Sequence, residues 1–437
     1  MTAAARRDSR IVSRRTWLGL AALLSFAAAA AHADWLAPDA SLRDAQTQLR
    51  DAIRDTVGHG GDPAVIDSLA VALLRVGRIP DARRLFLRVI EAKPGDPAAS
   101  AALGKLALWA DQNARAESLL VTADDVEQAR MDLYFARLRQ AKWNDAAAMC
   151  EDLQDEGRKP MLERLASGTP MAVKGERTKV LFERIWPAPL VKVKLNGATV
   201  LMMVDTGTPG LLIDKQAATQ NHVPLLEGQR LELWTGTRVA VRNAMVQKLE
   251  IGDITFTDVP ASVISLSKLS LQVNLQAMPI SGVIGMQVLR RFDVTFDDRK
   301  RALELAPLGT AAKLQATRVP FELWGEDELT VWGSINGGRH LALVLATGMP
   351  GGGLGAPDVV FEEFGLKSGG VSKAMAGAGT WLGGRAWAPV NVPALSIGNV
   401  AYDKVSGWAA PWNQSKCGAT ASAATGYSAP ASCSSAA

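Results

Sequence analysis

One pattern occurs twice in this 437-residue chain, 141 residues apart, and it restricts the fold more than any other feature. In the first copy Val191, Val193 and Leu195 alternate with Lys192 and Lys194, Asn196-Gly197 follows, and an unbroken apolar run from Val200 to Val204 ends in Asp205-Thr206-Gly207. Alternation marks a strand with one wet face, Asn-Gly a tight hairpin, and the unbroken run a strand covered on both faces. The second copy reads Ile335, Asn336-Gly337, Leu341 to Leu345, then Ala346-Thr347-Gly348. Thr208-Pro209-Gly210 and Met349-Pro350-Gly351 extend the match. Further on, Leu249, Ile251-Gly252, Ile254 and Phe256 correspond to Leu395, Ile397-Gly398, Val400 and Tyr402. The chain therefore carries two copies of one β-lobe, and only the first copy ends its buried strand in an acid.

Ahead of the lobes the period is helical. Leu42, Ala45, Leu49, Ala52 and Ile53 fall at steps of three and four, opening a helical region over 39–165. Within it a 34-residue spacing relates Pro63 to Pro97 and Ala82 to Ala116. Gly77, Ala82, Phe86 and Pro94, with Leu103-Gly104 in the next unit, resemble tetratricopeptide repeats, which stack helix pairs into a solenoid whose concave face binds peptide or protein segments. Residues 166–185, with Gly168, Pro170 and Gly175, read as a linker. The lobes then occupy 186–310 and 318–412, and an Ala- and Ser-rich stretch over 413–437 has too little apolar surface to order itself.

The first 33 residues read as a signal peptide. Arg14 and Arg15, within Ser13-Arg14-Arg15-Thr16-Trp17-Leu18, precede an uncharged run to Ala31, and Ala31-His32-Ala33 offers a small-x-small cleavage site. The arginine pair resembles a twin-arginine export signal. Export to the periplasm of a bacterium is the expectation, with membrane attachment only through an uncleaved signal. The four net positive charges of this segment equal the whole chain's formal +4, so the rest is neutral and nucleic acid is not an expected partner. Cys150 lies in a helical stretch as a small core residue, whereas Cys417 and Cys433 bracket a loop in the tail. The few His show no ligand spacing, so no metal is expected.

An acid at a strand end, followed by a small hydroxyl residue and Gly, suits a site built where two backbones meet closely. Gly permits the approach and Thr can hydrogen-bond across the junction. Residues from about 188 to 306 resemble a retropepsin-type aspartic peptidase lobe. Asp205-Thr206-Gly207 stands at the catalytic loop, and Val283-Ile284-Gly285 in the apolar-apolar-Gly segment that packs beneath it. Thr235 and Gly236 stand at the turn of the flap that covers bound peptide. The resemblance implies a multidomain α plus all-β chain, an α-solenoid followed by two acid-protease-like β-barrel lobes. It also implies peptide-bond hydrolysis by water held between two carboxylates, with no cofactor.

Lobe two departs from the family. Ala346, Thr347 and Gly348 form a degenerate site, and no apolar-apolar-Gly segment follows Tyr402. Two readings stay open. In one, Asp205 pairs with Asp205 of a second chain, and a homodimeric endopeptidase results, its helical repeats engaging the protein substrate or a partner protein. In the other, the chain is an inactive pseudopeptidase, an adaptor that holds extended peptides in the lobes and protein partners on the repeats.

Overall fold

The computed structural model describes residues 24–25, 42–123, 126–234, 237–267, 269–270, 279–310, 316–338, 340–349, 353–369 and 388–410. Helices fill the N-terminal part: α1 Leu42–Asp55, α2 Pro63–Arg75, α3 Ile79–Ala92, α4 Pro97–Trp109, α5 Asn113–Leu120, α6 Glu127–Arg139, α7 Trp143–Ala148 and α8 Lys159–Ala166. The two prolines at the 34-residue spacing each open a helix, where the missing N–H costs nothing. Asp62 and Asp96 cap those helices by accepting from Ala64 N and Ala99 N. Ala82, Phe86, Ala116 and Leu120 are fully buried between the helices. Cys150 is buried among them too, and burial pushes its thiol up to about 11.

The segment expected to link helices and lobes does more than that. It supplies β2 (Ala172–Lys174) and β3 (Thr178–Arg184), because Thr178, Val180 and Phe182 alternate with charged or exposed residues and give one face to the lobe-one core. Lobe one continues with β4 (Leu190–Leu195), β5 (Ala198–Val204), β6 (Leu211–Asp214), β7 (Leu225–Trp234), β8 (Thr237–Ile251), β9 (Ile254–Ile264), β10 (Ile280–Ile284), β11 (Phe292–Asp297) and β12 (Ala302–Pro307). The sheet order is β11-β12-β3-β4-β5-β10-β6-β9-β8-β7, with β2 on β9. Lobe two holds β13 (Glu322–Trp324), β14 (Glu328–Ile335), β15 (His340–Leu345), β16 (Leu354–Pro357), β17 (Ala388–Ile397) and β18 (Val400–Ala410).

The expected barrels are not what these strands build. Each lobe is an extended sheet whose fold-back contact is short: Lys194 and Leu195 of β4 meet Glu250 and Leu249 of β8, and Gly333 to Ile335 of β14 meet β17. The hairpin β11–β12 with β3 lengthens the first sheet instead of closing it.

The duplication is visible in detail. Asn196 and Gly197 have φ of 49° and 93°, and Asn336 and Gly337 have 51° and 68°, as a tight hairpin with two left-handed residues requires. In both copies the Asn side chain accepts a backbone N–H from the fold-back strand, Lys248 N at 3.0 Å and Ala394 N at 3.2 Å. Val200 to Val204 are buried throughout, so both faces of β5 are covered as the unbroken run predicts.

Helices and lobes form a continuous body. Trp109 of α4 stacks on Trp324 of lobe two, with centroids 4.2 Å apart and planes at 16°. The Arg139 side chain, 1% exposed, donates to Leu108 O of the helices and to Leu323 O and Gly325 O of lobe two at 2.7, 3.1 and 2.9 Å. It also pairs with Asp327 at 3.1 Å. Arg290 of lobe one reaches that same carboxylate and Asp111 of the helices. Burial pushes Asp327 up to about 6 against the pull of the two guanidinium groups. On the other side Asn243 of β8 donates to Gly157 O at 2.5 Å, so the helices also touch the base of the β7–β8 hairpin. Among the described residues no helix is long and apolar enough to cross a membrane.

Candidate active site

The two repeated loops meet face to face within one chain. β5 delivers Asp205-Thr206-Gly207 and β15 delivers Ala346-Thr347-Gly348 to the same point, related by an approximate two-fold exchange of hydrogen bonds. Thr206 Oγ1 donates to Leu345 O at 2.6 Å and accepts from Thr347 N at 3.2 Å. Thr347 Oγ1 donates to Val204 O at 3.0 Å and accepts from Thr206 N at 3.1 Å. Each hydroxyl thus satisfies one donor and one acceptor of the opposite lobe, where partly buried backbone groups would otherwise go unpaired.

The glycines are needed for this approach. A Cβ on Gly207 would lie 2.5 Å from Ala346 Cβ, and one on Gly348 would lie 2.6 Å from Asp205 Cβ. The near equality of these distances also sets Ala346 where a second Asp205-like side chain would begin.

Asp205 is 9% exposed and tightly held. Its Oδ1 accepts from Gly207 N at 2.9 Å and from Gly348 N at 2.8 Å, and its Oδ2 from Thr208 Oγ1 at 2.7 Å. Its backbone N donates to Ile284 O at 3.0 Å, so β10 supports the loop from below. Val283 and Ile284 are fully buried, and Gly285 leaves room for the turn, since a Cβ there would meet Thr208 O at 2.2 Å. The predicted catalytic loop and its supporting segment are therefore brought together, and so is the degenerate loop.

Opposite Asp205 the surroundings are apolar. Ala346 and Met349 are buried together and pack on Trp408. Met349 stands where lobe one has Thr208, so lobe two lacks both the acid and the hydroxyl that would donate to it. Thr208 is the site residue that sequence reasoning missed. The contrast of Thr208 with Met349 in otherwise matching tripeptides was the available signal.

Other expected site residues fall elsewhere. Thr235 and Gly236 lie outside the described residues; Trp234 of β7 and Thr237 of β8, on either side of them, are paired. Arg14 and Arg15, the tail over 413–437 and its two cysteines also lie outside the described residues. Among the described residues no group of His, Cys, Asp and Glu could hold a metal ion. What remains is one well-oriented carboxylate at a junction of two lobes. Three donors fix that carboxylate, and the Ala346 side chain stands at the matching position of the other loop.

Residues 191–288 match the aspartyl protease family, a stretch that runs from β4 through the loop of Asp205 to the helical turn Met286–Leu289 after β10. Lobe one is thus the lobe of a peptidase, a hydrolase. Among solved structures, a retropepsin-like aspartic protease from Rickettsia conorii is similar at 17% identity, over 32% of this chain and 94% of that one, with a TM-score of 0.20. No curated protein matches the chain.

Proposed function

We propose that this chain is an exported aspartic-type endopeptidase acting on extended peptide segments, with Asp205 as its acid and Thr206, Gly207 and Thr208 holding that acid in place. The observation that carries the reading is the Asp205 loop, complete to its three hydrogen-bond donors and its β10 support. In the reaction Asp205 would take a proton from water as that water attacks the scissile carbonyl, and a second carboxylate would hold and donate the other proton. A second copy of Asp205, in a homodimer, is the source of that second carboxylate in this reading. Dimer formation would have to displace the Ala346 loop, which competes for the place through the four threonine bonds. The helices, as tetratricopeptide-like repeats, would engage the protein substrate or a partner protein.

One observation favours a second reading. Ala346 faces Asp205 inside a closed junction, and Met349 and Trp408 make that half of the site apolar. A pseudopeptidase that holds peptides without cutting them would look like this. The experiment is cleavage of an unstructured protein by the full chain between pH 3 and 7 at rising enzyme concentration, beside Asp205→Asn. Cleavage that needs Asp205 and rises with the square of concentration at high dilution supports the dimeric peptidase. Peptide binding without cleavage by either protein supports the pseudopeptidase.

A further inference from the structure

The two lobes differ in where their central strand comes from. In lobe one β10 lies between β5 and β6, parallel to the first and antiparallel to the second, with Val283 opposite Met203 and Leu212. In lobe two the equivalent pair is β15 and β16, and residues 411–437 hold no apolar-apolar-Gly segment like that of β10. The place is taken by a strand from the other end of the molecule. Leu24–Ser25, here β1, pairs antiparallel with β15 (Leu24 with Leu345, Ser25 with Val344) and parallel with β16 (Leu24 with Leu354). Its direction is opposite to that of β10, which an extended backbone permits, because both orientations present alternating N–H and C=O groups.

We propose that lobe two is a strand-acceptor module completed by the N-terminal apolar segment of this same chain. Three facts support that occupant. Leu24 and Ser25 of the segment pair with β15, and Leu24 also with β16. Residues 16–31 are uncharged and, apart from Thr16 and Ser25, carry no hydroxyl or amide side chain, which suits a central strand covered on both faces. Without an occupant, β15 and β16 would present unpaired edges to each other in the middle of a sheet. The position matters for the site, because Leu345, the partner of Leu24, also supplies the carbonyl that receives Thr206 Oγ1. Occupancy of the slot therefore bears on the threonine junction and on Asp205. Export and strand completion draw on the same residues: a chain cut after Ala33 leaves the slot open.

The test is hydrogen exchange on the full chain, comparing wild type with Leu24→Pro, which removes a backbone donor from the seated strand. Amides of 341–345 and 354–356 should exchange at least tenfold faster in the variant, while 201–204 and 280–284 keep their protection. Unchanged exchange in 341–345 and 354–356 would overturn the proposal. A second arm uses the chain beginning at residue 34. It should show the same selective exposure, reversed by a synthetic peptide of residues 18–30. Full protection in that shorter chain, or exposure produced by deleting 413–437 instead, would assign the slot to another occupant and end the argument. Neither arm reads peptidase activity, so the outcome is independent of the function proposed above.

Discussion

Restoring the missing half of the site is the most direct trial of this geometry. In Ala346→Asp combined with Met349→Thr, position 346 receives a carboxylate and position 349 the hydroxyl that Thr208 supplies in lobe one. The Cβ of residue 346 already faces Gly207 at the spacing at which Asp205 faces Gly348, so the new side chain starts from a matched position. The acid alone would enter an apolar pocket beside Met349 and Trp408. An unsatisfied buried acceptor there costs about 1–3 kcal/mol. The hydroxyl offsets much of that, since a hydrogen bond to a charged group contributes about 1.5–3 kcal/mol. Two carboxylates in contact cannot both ionise, so the pair would share a proton and divide the acid and base roles. General acid–base assistance of this kind is worth roughly 10²- to 10⁴-fold. The expected result is a gain of that size in turnover of a quenched fluorescent peptide between pH 3 and 7, at enzyme dilution where dimers do not form, and its loss on adding Asp205→Asn. A double variant that keeps the wild-type melting temperature and shows no gain would refute the pseudo-two-fold reading of the site.

Two further outcomes follow from particular contacts. Thr347→Val removes the hydroxyl that serves Val204 O and Thr206 N, leaving two junction groups unpaired at about 1–3 kcal/mol each; thermal melting should fall accordingly, and a change below about 0.5 kcal/mol would show that the lobes are held by something else. Glu328 is buried in β14 with one carboxylate oxygen unpartnered, and burial, aided by the Glu326 charge, pushes its pKa from 4.5 up to about 8. Between those values the folded chain keeps a proton that the unfolded chain releases, so stability falls as pH rises through the window. Glu328→Gln should match wild type at pH 4 and exceed it at pH 8 by a few kcal/mol, on the order of 1.4 for each pH unit crossed. Denaturant titration at the two pH values measures this.

Much of the lobe architecture was legible because hairpins and buried strands are local. Asn196-Gly197 and Asn336-Gly337 fixed two turns, and the apolar runs that follow fixed two central strands. The loops of residues 205–207 and 346–348 were found for the same reason. What sequence periodicity does not carry is sheet closure, which depends on how far strands continue past the fold-back. That is why barrels were expected where extended sheets occur. The segment over 166–185 reads as a linker on its two glycines and one proline, although Phe182 belongs to the lobe-one core and Val180 packs against it. The docking of helices on lobes was also out of reach. Arg139, Arg290 and Asp327 are far apart in sequence, and nothing local marks a surface arginine as one destined to be buried.

The junction between the lobes contains no carboxylate among the four bonds of its threonines. One further bond, from Gly348 N to Asp205 Oδ1, crosses the same junction, so the joint rests mainly on the threonines and only in part on the acid. An aspartate can be exchanged for alanine in one loop without unfastening the halves, and shape can outlast reactivity. For a chain built on this plan, the step between cutting a strand and merely gripping it is a change of very few atoms, and it runs in both directions.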